Sequence, residues 1–144
     1  MQPITPSRRR TARIAAGLLV IDLIAMFVLT HVPTLPKAAR QFHDKWAHFT
    51  AFFVLTTLYC IATPGRRPWL RYGSAVVLAA GYAIFDEWTQ GWVAGRHRDP
   101  WDFLADLAGT FSAIVVYVLF RYQFAKNRPV GTDRSAQPSG GPSE

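Results

Sequence analysis

The chain has 144 residues, half of them apolar, with a formal net charge of +7 and a single cysteine. That length fits one domain, and a lone cysteine excludes an internal disulfide framework. The positive charge would suit a nucleic-acid binder. However, the apolar residues come in long blocks separated by basic segments, which points to membrane topology and away from nucleic acid.

The blocks are Ile14–Thr30, Trp46–Ala62, Leu70–Phe85 and Phe103–Phe120. Each is about the 17–20 residues needed to cross roughly 30 Å of hydrocarbon, the third being the shortest. Helices of a soluble bundle would carry a polar face. Ile14–Thr30 has only Asp22 as a charge, and Phe103–Phe120 has only Asp106. The expectation is an all-α integral membrane protein, a four-helix transmembrane bundle. Residues 1–13 form a basic N-terminus, 14–122 the four-span domain, and 123–144 a disordered tail of polar residues, Pro, Gly and Ser. Trp46, Trp69, Trp88, Trp92 and Trp101 all sit at or just outside the ends of the blocks, as an interfacial aromatic belt does.

Charge sets the expected orientation. With the N-terminus in the cytoplasm, the inside segments carry Arg8, Arg9, Arg10, Arg13, Arg66, Arg67, Arg71, Arg121, Lys126, Arg128 and Arg134. The outside segments carry Lys37, Arg40, Lys45, Arg96 and Arg98. The positive-inside rule then puts both termini in the cytoplasm of a multi-pass inner-membrane protein.

In chain order, Ser7-Arg8-Arg9 before an apolar run could open a secretion signal. No small-x-small cleavage site follows and the run contains Asp22, so an uncleaved first span is expected. A carboxylate at mid-span costs about 2.5–3.5 kcal/mol on insertion scales, so Asp22 should face the bundle. An inward hydrogen bond to another helix is the plain reading; a proton or ion relay is the sharper one. Pro33 and Pro36 interrupt the loop between spans one and two. Asp44 and His48, four apart, share a helix face beside Lys45, so the acid could orient the imidazole. Cys60, within an apolar span, reads as inert packing. Pro64-Gly65-Arg66-Arg67-Pro68 is a tight turn, and Gly73 and Gly81 in span three permit close helix approach.

Span three ends in Asp86-Glu87-Trp88-Thr89-Gln90. Acids at a helix C-terminus oppose the helix dipole and call for a compensating cation or metal. Arg96, His97 and Arg98 follow within one hairpin. Asp99 is a good N-cap before Pro100, and Asp102 lies in the first turn of span four. Capping does not account for Asp106. Asp102, Asp106, Gly109 and Ala113 fall on one face, acids first and then small residues suited to helix packing.

These motifs gather ionisable groups at one membrane face. His48, Asp86, Glu87 and Asp106 are candidate acid/base groups, and Asp44, Lys45, Gln90, Arg96 and Asp102 are candidate binding groups. Four readings stand: a membrane enzyme acting on lipid-linked envelope substrates, a ligand-binding protein, a structural latch between spans, and a site for Mg²⁺ or Ca²⁺ built of hard ligands. No cofactor is specified, and membrane lipid is the expected partner.

The run Asp44-Lys45-x-x-His48-Phe49-x-x-Phe52, then Tyr82 and Asp86-Glu87-x-x-Gln90, then Gly95-Arg96 and Trp101-Asp102-x-x-Ala105-Asp106-x-x-Gly109, resembles the VanZ family. The resemblance spans residues 44–113 in order. It departs at Asp106, often Asn in the family, and at Ala113, often Gly. It implies a small four-span membrane protein of the cell envelope. It also implies a link to antibiotic resistance of the glycopeptide (teicoplanin) type, with a lipid-linked or glycopeptide ligand, but no defined chemistry.

Overall fold

The computed structural model describes residues 5–31, 41–93 and 99–126, with side chains from Lys45 onward in the second of these segments. Among them the chain is all-helical: α1 (Pro6–His31), α2 (Gln41–Ala62), α3 (Pro68–Gln90) and α4 (Pro100–Lys126). Two of these, α1 and α4, are long and apolar enough to cross a membrane.

Helix ends follow local chemistry. Pro6, Pro68 and Pro100 each open a helix, where the missing N–H costs nothing and the fixed φ is already helical. Pro6 therefore starts α1 inside the basic segment, so Arg8 to Arg13 ride on the helix rather than preceding it. At the other terminus α4 runs on through Lys126, past the expected boundary at residue 122. Gln123 to Lys126 contain no breaker, and Phe120 packs at a tilt against Phe124 one turn later, with ring centroids 4.4 Å apart. The remainder of the expected disordered tail, 127–144, lies outside the described residues, as does the Pro33/Pro36 loop.

Each helix buries one stripe. On α2 it is His48, Phe52, Leu55, Thr56 and Cys60; on α3, Arg71, Ala75, Ala79, Ala83, Asp86 and Gln90; on α4, Asp102, Asp106, Gly109, Thr110 and Ala113. These are spacings of three and four, the period of a single helix face. The most extensive pair is α2 with α4, while α1 packs on α2 and α3 and not on α4. Consecutive helices run antiparallel. One end of the bundle therefore gathers the C-termini of α1 and α3 with the N-termini of α2 and α4.

Gly109 sets the α2–α4 distance. A Cβ there would run into the Phe49 carbonyl oxygen and come within 3.1 Å of both the Phe49 carbonyl carbon and the Phe53 nitrogen. Only a residue without a side chain lets the backbones approach so closely. Gly73 and Gly81 do not play this part: a Cβ at either meets nothing within 4 Å. Their spacing is helical, but they lie on the outward face, and the close face of α3 is the alanine ladder 75, 79, 83.

The distribution of polarity is inverted. Among the described residues, as many polar or charged residues as apolar ones are buried, whereas Ile14, Ile21, Leu29, Val77 and Ile84 are all more than half exposed. All five tryptophans are exposed. A water-soluble domain of this size would place these groups the other way round. Cys60 is buried and free, and its carbonyl accepts the Tyr117 hydroxyl at 3.1 Å.

At the end opposite His48, the buried Arg71 closes the α2–α3 turn. Its Nε donates to the Thr63 carbonyl at 2.9 Å, and one terminal nitrogen donates to the Pro64 and Arg66 carbonyls at 2.7 and 3.3 Å. The other reaches the Tyr117 hydroxyl at 3.4 Å. These contacts tie down the turn that follows the α2 C-terminus, where a cation is favoured.

Candidate functional site

Ion pairs at the His48 end are built by α2 and α4, brought together by Gly109. His48 Nδ1 lies 3.0 Å from Asp106 Oδ1, and Nε2 lies 4.0 Å from Asp102 Oδ2. All three side chains are buried, Asp106 to 1% exposure. A carboxylate only accepts, so Nδ1–H donates to Asp106, which fixes the ring plane and directs Nε2 toward Asp102. Lys45, one turn before His48, donates to Asp102 Oδ1 at 3.0 Å and to Asp99 Oδ2 at 2.9 Å. Asp99 uses its other oxygen as the cap of α4, accepting from the Trp101 N–H at 3.0 Å. Its carboxyl lies outside the helices and is held below the usual carboxylate range, first by the Lys45 hydrogen bond and next by the Trp101 N–H. Asp99 is therefore part of the cluster as well as a helix cap, which capping rules alone do not reveal.

Helices α1 and α3 supply the second group. Thr30 Oγ1 donates to Asp86 Oδ1 at 2.6 Å, and the Gln90 side-chain amide donates to Asp86 Oδ2. The Asp86 charge acts on both Asp106 and Glu87, and Glu87 in turn feels Asp102 and His48, so the two groups form one electrostatic unit. The Asp99 backbone N–H hydrogen-bonds the Glu87 carboxylate. The second oxygen, Oε1, is buried with no partner among the described residues. Beside it, Ile84, Glu87, Trp88 and Phe103 line an open groove of about 400 Å³ between α3 and α4.

The structure thus brings together Lys45, His48, Asp86, Glu87, Gln90, Asp102 and Asp106 from three helix ends. Asp44 lies in the first turn of α2 with its side chain outside the described residues, and Arg96 lies outside them altogether. Thr30 belongs to the site and was not anticipated: at the end of an apolar run it reads as a boundary, although the polar pair Thr30-His31 is the available signal. Asp22 is half-buried, but Oδ2 makes no hydrogen bond among the described residues, where the inward bond expected of it is not seen. The neighbouring Leu23 carbonyl instead accepts the Tyr82 hydroxyl from α3 at 2.9 Å. Among the described residues, no group of three or more His, Cys, Asp or Glu side chains is arranged to hold a metal ion.

An imidazole fixed by one carboxylate, with its second nitrogen facing another, is suited to take up and release a proton. The unsatisfied Glu87 oxygen adds a hydrogen-bond acceptor to the unit.

No curated protein and no solved structure matches the chain. Residues 4–121 match the VanZ/LLP1 family over most of the sequence, including every helix that carries the site. The chain belongs to the VanZ/LLP1 family.

Proposed function

We propose that the chain is a four-span inner-membrane protein with both termini in the cytoplasm, and that the His48 end is an acid–base site at the outer leaflet that binds or acts on an envelope lipid or lipid-linked ligand. The observation that carries this is the buried Asp106–His48–Asp102 arrangement. Burying three ionisable groups together is a poor way to gain stability, since desolvation offsets most of the attraction. Such groups inside a membrane bundle ordinarily serve ligand or proton handling. Supporting the span count are the outward-facing apolar residues on all four helices, among them Val54 on α2 and Val77 on α3. The tryptophans collect near both ends of the helices. In the enzymatic version His48 moves the proton, Asp106 holds its ring, and Asp86 and Glu87 contact the ligand. In the binding version the same groups are recognition contacts.

A structural latch is the second reading, favoured by the pairing of Lys45 with Asp99 and Asp102 and of Asp86 with Thr30. Expression in a teicoplanin-sensitive host separates the two. The functional reading expects the wild-type chain to raise the teicoplanin concentration that stops growth. His48→Gln and Asp106→Asn should abolish that protection while accumulating in the membrane at wild-type level. Full protection by both variants would leave the latch as the surviving account.

A further inference from the structure

We propose that the groove between α3 and α4 holds a membrane lipid with a primary ammonium headgroup, its acyl chain along Ile84, Trp88 and Phe103 and its N–H donors on Glu87. This deepens the outer-leaflet reading above and rests on it for the side of the membrane concerned.

Two independent observations meet here. The first is shape. The groove is open, about 400 Å³, and its exposed lining is almost wholly apolar. That volume lies within the roughly 300–1,000 Å³ of small-molecule sites. Ile84 is 61% exposed and points away from the bundle interior, so the groove opens sideways to the lipid phase. The second observation is a missing partner. Glu87 Oε1 is buried and makes no hydrogen bond among the described residues, while its carboxylate accepts from the Asp99 N–H. A buried acceptor left bare costs about 1–3 kcal/mol, which a donor brought by a ligand recovers. The terminal torsion of a glutamate is soft, so the carboxylate can turn toward an arriving donor without disturbing α3.

Charge selects the donor. Asp86 and Asp102 both act on Glu87 with the same sign as its own, and Lys45 is already engaged by Asp99 and Asp102. An anionic headgroup would add repulsion. A cation with N–H donors supplies both the missing charge and the missing hydrogen bond, and charge-assisted bonds of this kind are the strong ones. A quaternary ammonium has the charge but no donor, so it should bind less well.

The test is native mass spectrometry of the detergent-solubilised full chain, titrated separately with dioleoyl phosphatidylethanolamine, phosphatidylcholine and phosphatidylglycerol. Wild type should retain the ethanolamine lipid about tenfold more tightly than the choline lipid. Glu87→Gln should lose that preference, and Ile84→Trp, which fills the groove from its exposed rim, should weaken retention of the ethanolamine lipid. Equal retention of the three lipids by wild type, a preference for phosphatidylglycerol, an unchanged preference in Glu87→Gln, or unchanged retention of the ethanolamine lipid by Ile84→Trp overturns the inference. If Glu87→Gln does not fold, the comparison of lipids on wild type and Ile84→Trp decides. Teicoplanin protection that persists without any ethanolamine preference removes this inference and leaves the outer-leaflet reading intact. The converse pattern removes that reading and leaves the lipid site.

Discussion

The two ends of the bundle both bury charge, and they do so in different ways. Arg71 at one end spends its donors on the Thr63, Pro64 and Arg66 carbonyls and the Tyr117 hydroxyl. Three of its four partners are backbone oxygens within one turn, and the guanidinium sits 5.8 Å from the Tyr117 ring centre. At the other end, side chains from all four helices pair with one another, and the Glu87 Oε1 oxygen is left without a partner among the described residues. A group most of whose partners are backbone oxygens of the turn around it holds the fold. A cluster of interacting side chains with a bare acceptor beside a groove has capacity left for a ligand. The comparison therefore ties the Arg71 end to stability and supports the function proposed for the His48 end.

The largest test of that division is Arg71→Ala. It removes the buried cation beside the α2 C-terminus together with its hydrogen bonds to three turn carbonyls and the Tyr117 hydroxyl, with an expected loss of about 3 kcal/mol or more. The thermal unfolding midpoint in detergent should drop sharply. Arg71→Lys should recover only part of it, because an ammonium cannot reproduce the fork of donors. Wild-type stability in Arg71→Ala would break the comparison at its structural end. Next in size is Gly109→Ala, whose methyl group collides with the Phe49 carbonyl. Overpacking there should cost about 1–3 kcal/mol and spread α2 from α4, so Gly109→Ala should also lose the teicoplanin protection proposed to depend on the His48–Asp106 contact.

Much of this fold is legible in the chain because apolar runs and prolines are local signals. The blocks predict the four helices, Asp99-Pro100 predicts the start of α4, and the spacing of 102, 106, 109 and 113 predicts its buried face. Which side chains meet across helices is less legible. His48 and Asp106 are 58 positions apart, and their contact depends on a backbone approach that a single glycine permits. Spacing does not say which face of a helix turns inward, which is why Gly73 and Gly81 mislead while the alanines between and beyond them do the packing. Thr30 escapes notice for a related reason. A hydroxyl at the end of an apolar run is ordinary, and only the tertiary fold places it against Asp86.

Thr30→Val sharpens the comparison from the functional side. The substitution keeps the volume and removes the donor to Asp86 Oδ1, so about 1–2 kcal/mol of stability should be lost. A smaller loss than that of Arg71→Ala is the expected order, because Gln90 still donates to the other Asp86 oxygen. Equal losses would mean that the His48 end holds the fold as firmly as the Arg71 end.

The smallest expected effect concerns Asp99, whose ion pair with Lys45 joins two partly exposed side chains. Pairs of this kind contribute about 0–1 kcal/mol. The carboxyl is held below its ordinary value of 3.8, chiefly by the Lys45 hydrogen bond. The folded state therefore favours the ionised form. Its contribution is fully present above the ordinary value and fades as the pH falls through the lowered one. Unfolding midpoints measured from pH 7 down to pH 3 should show this as a decline confined to the acid end. Asp99→Asn retains the cap on α4 but cannot pair with Lys45, so it should lower the midpoint slightly at pH 7 and reduce the acid-end decline. An unchanged acid slope in Asp99→Asn would place the pH dependence on the buried carboxylates instead, and with it more of the stability at the His48 end than the comparison allows.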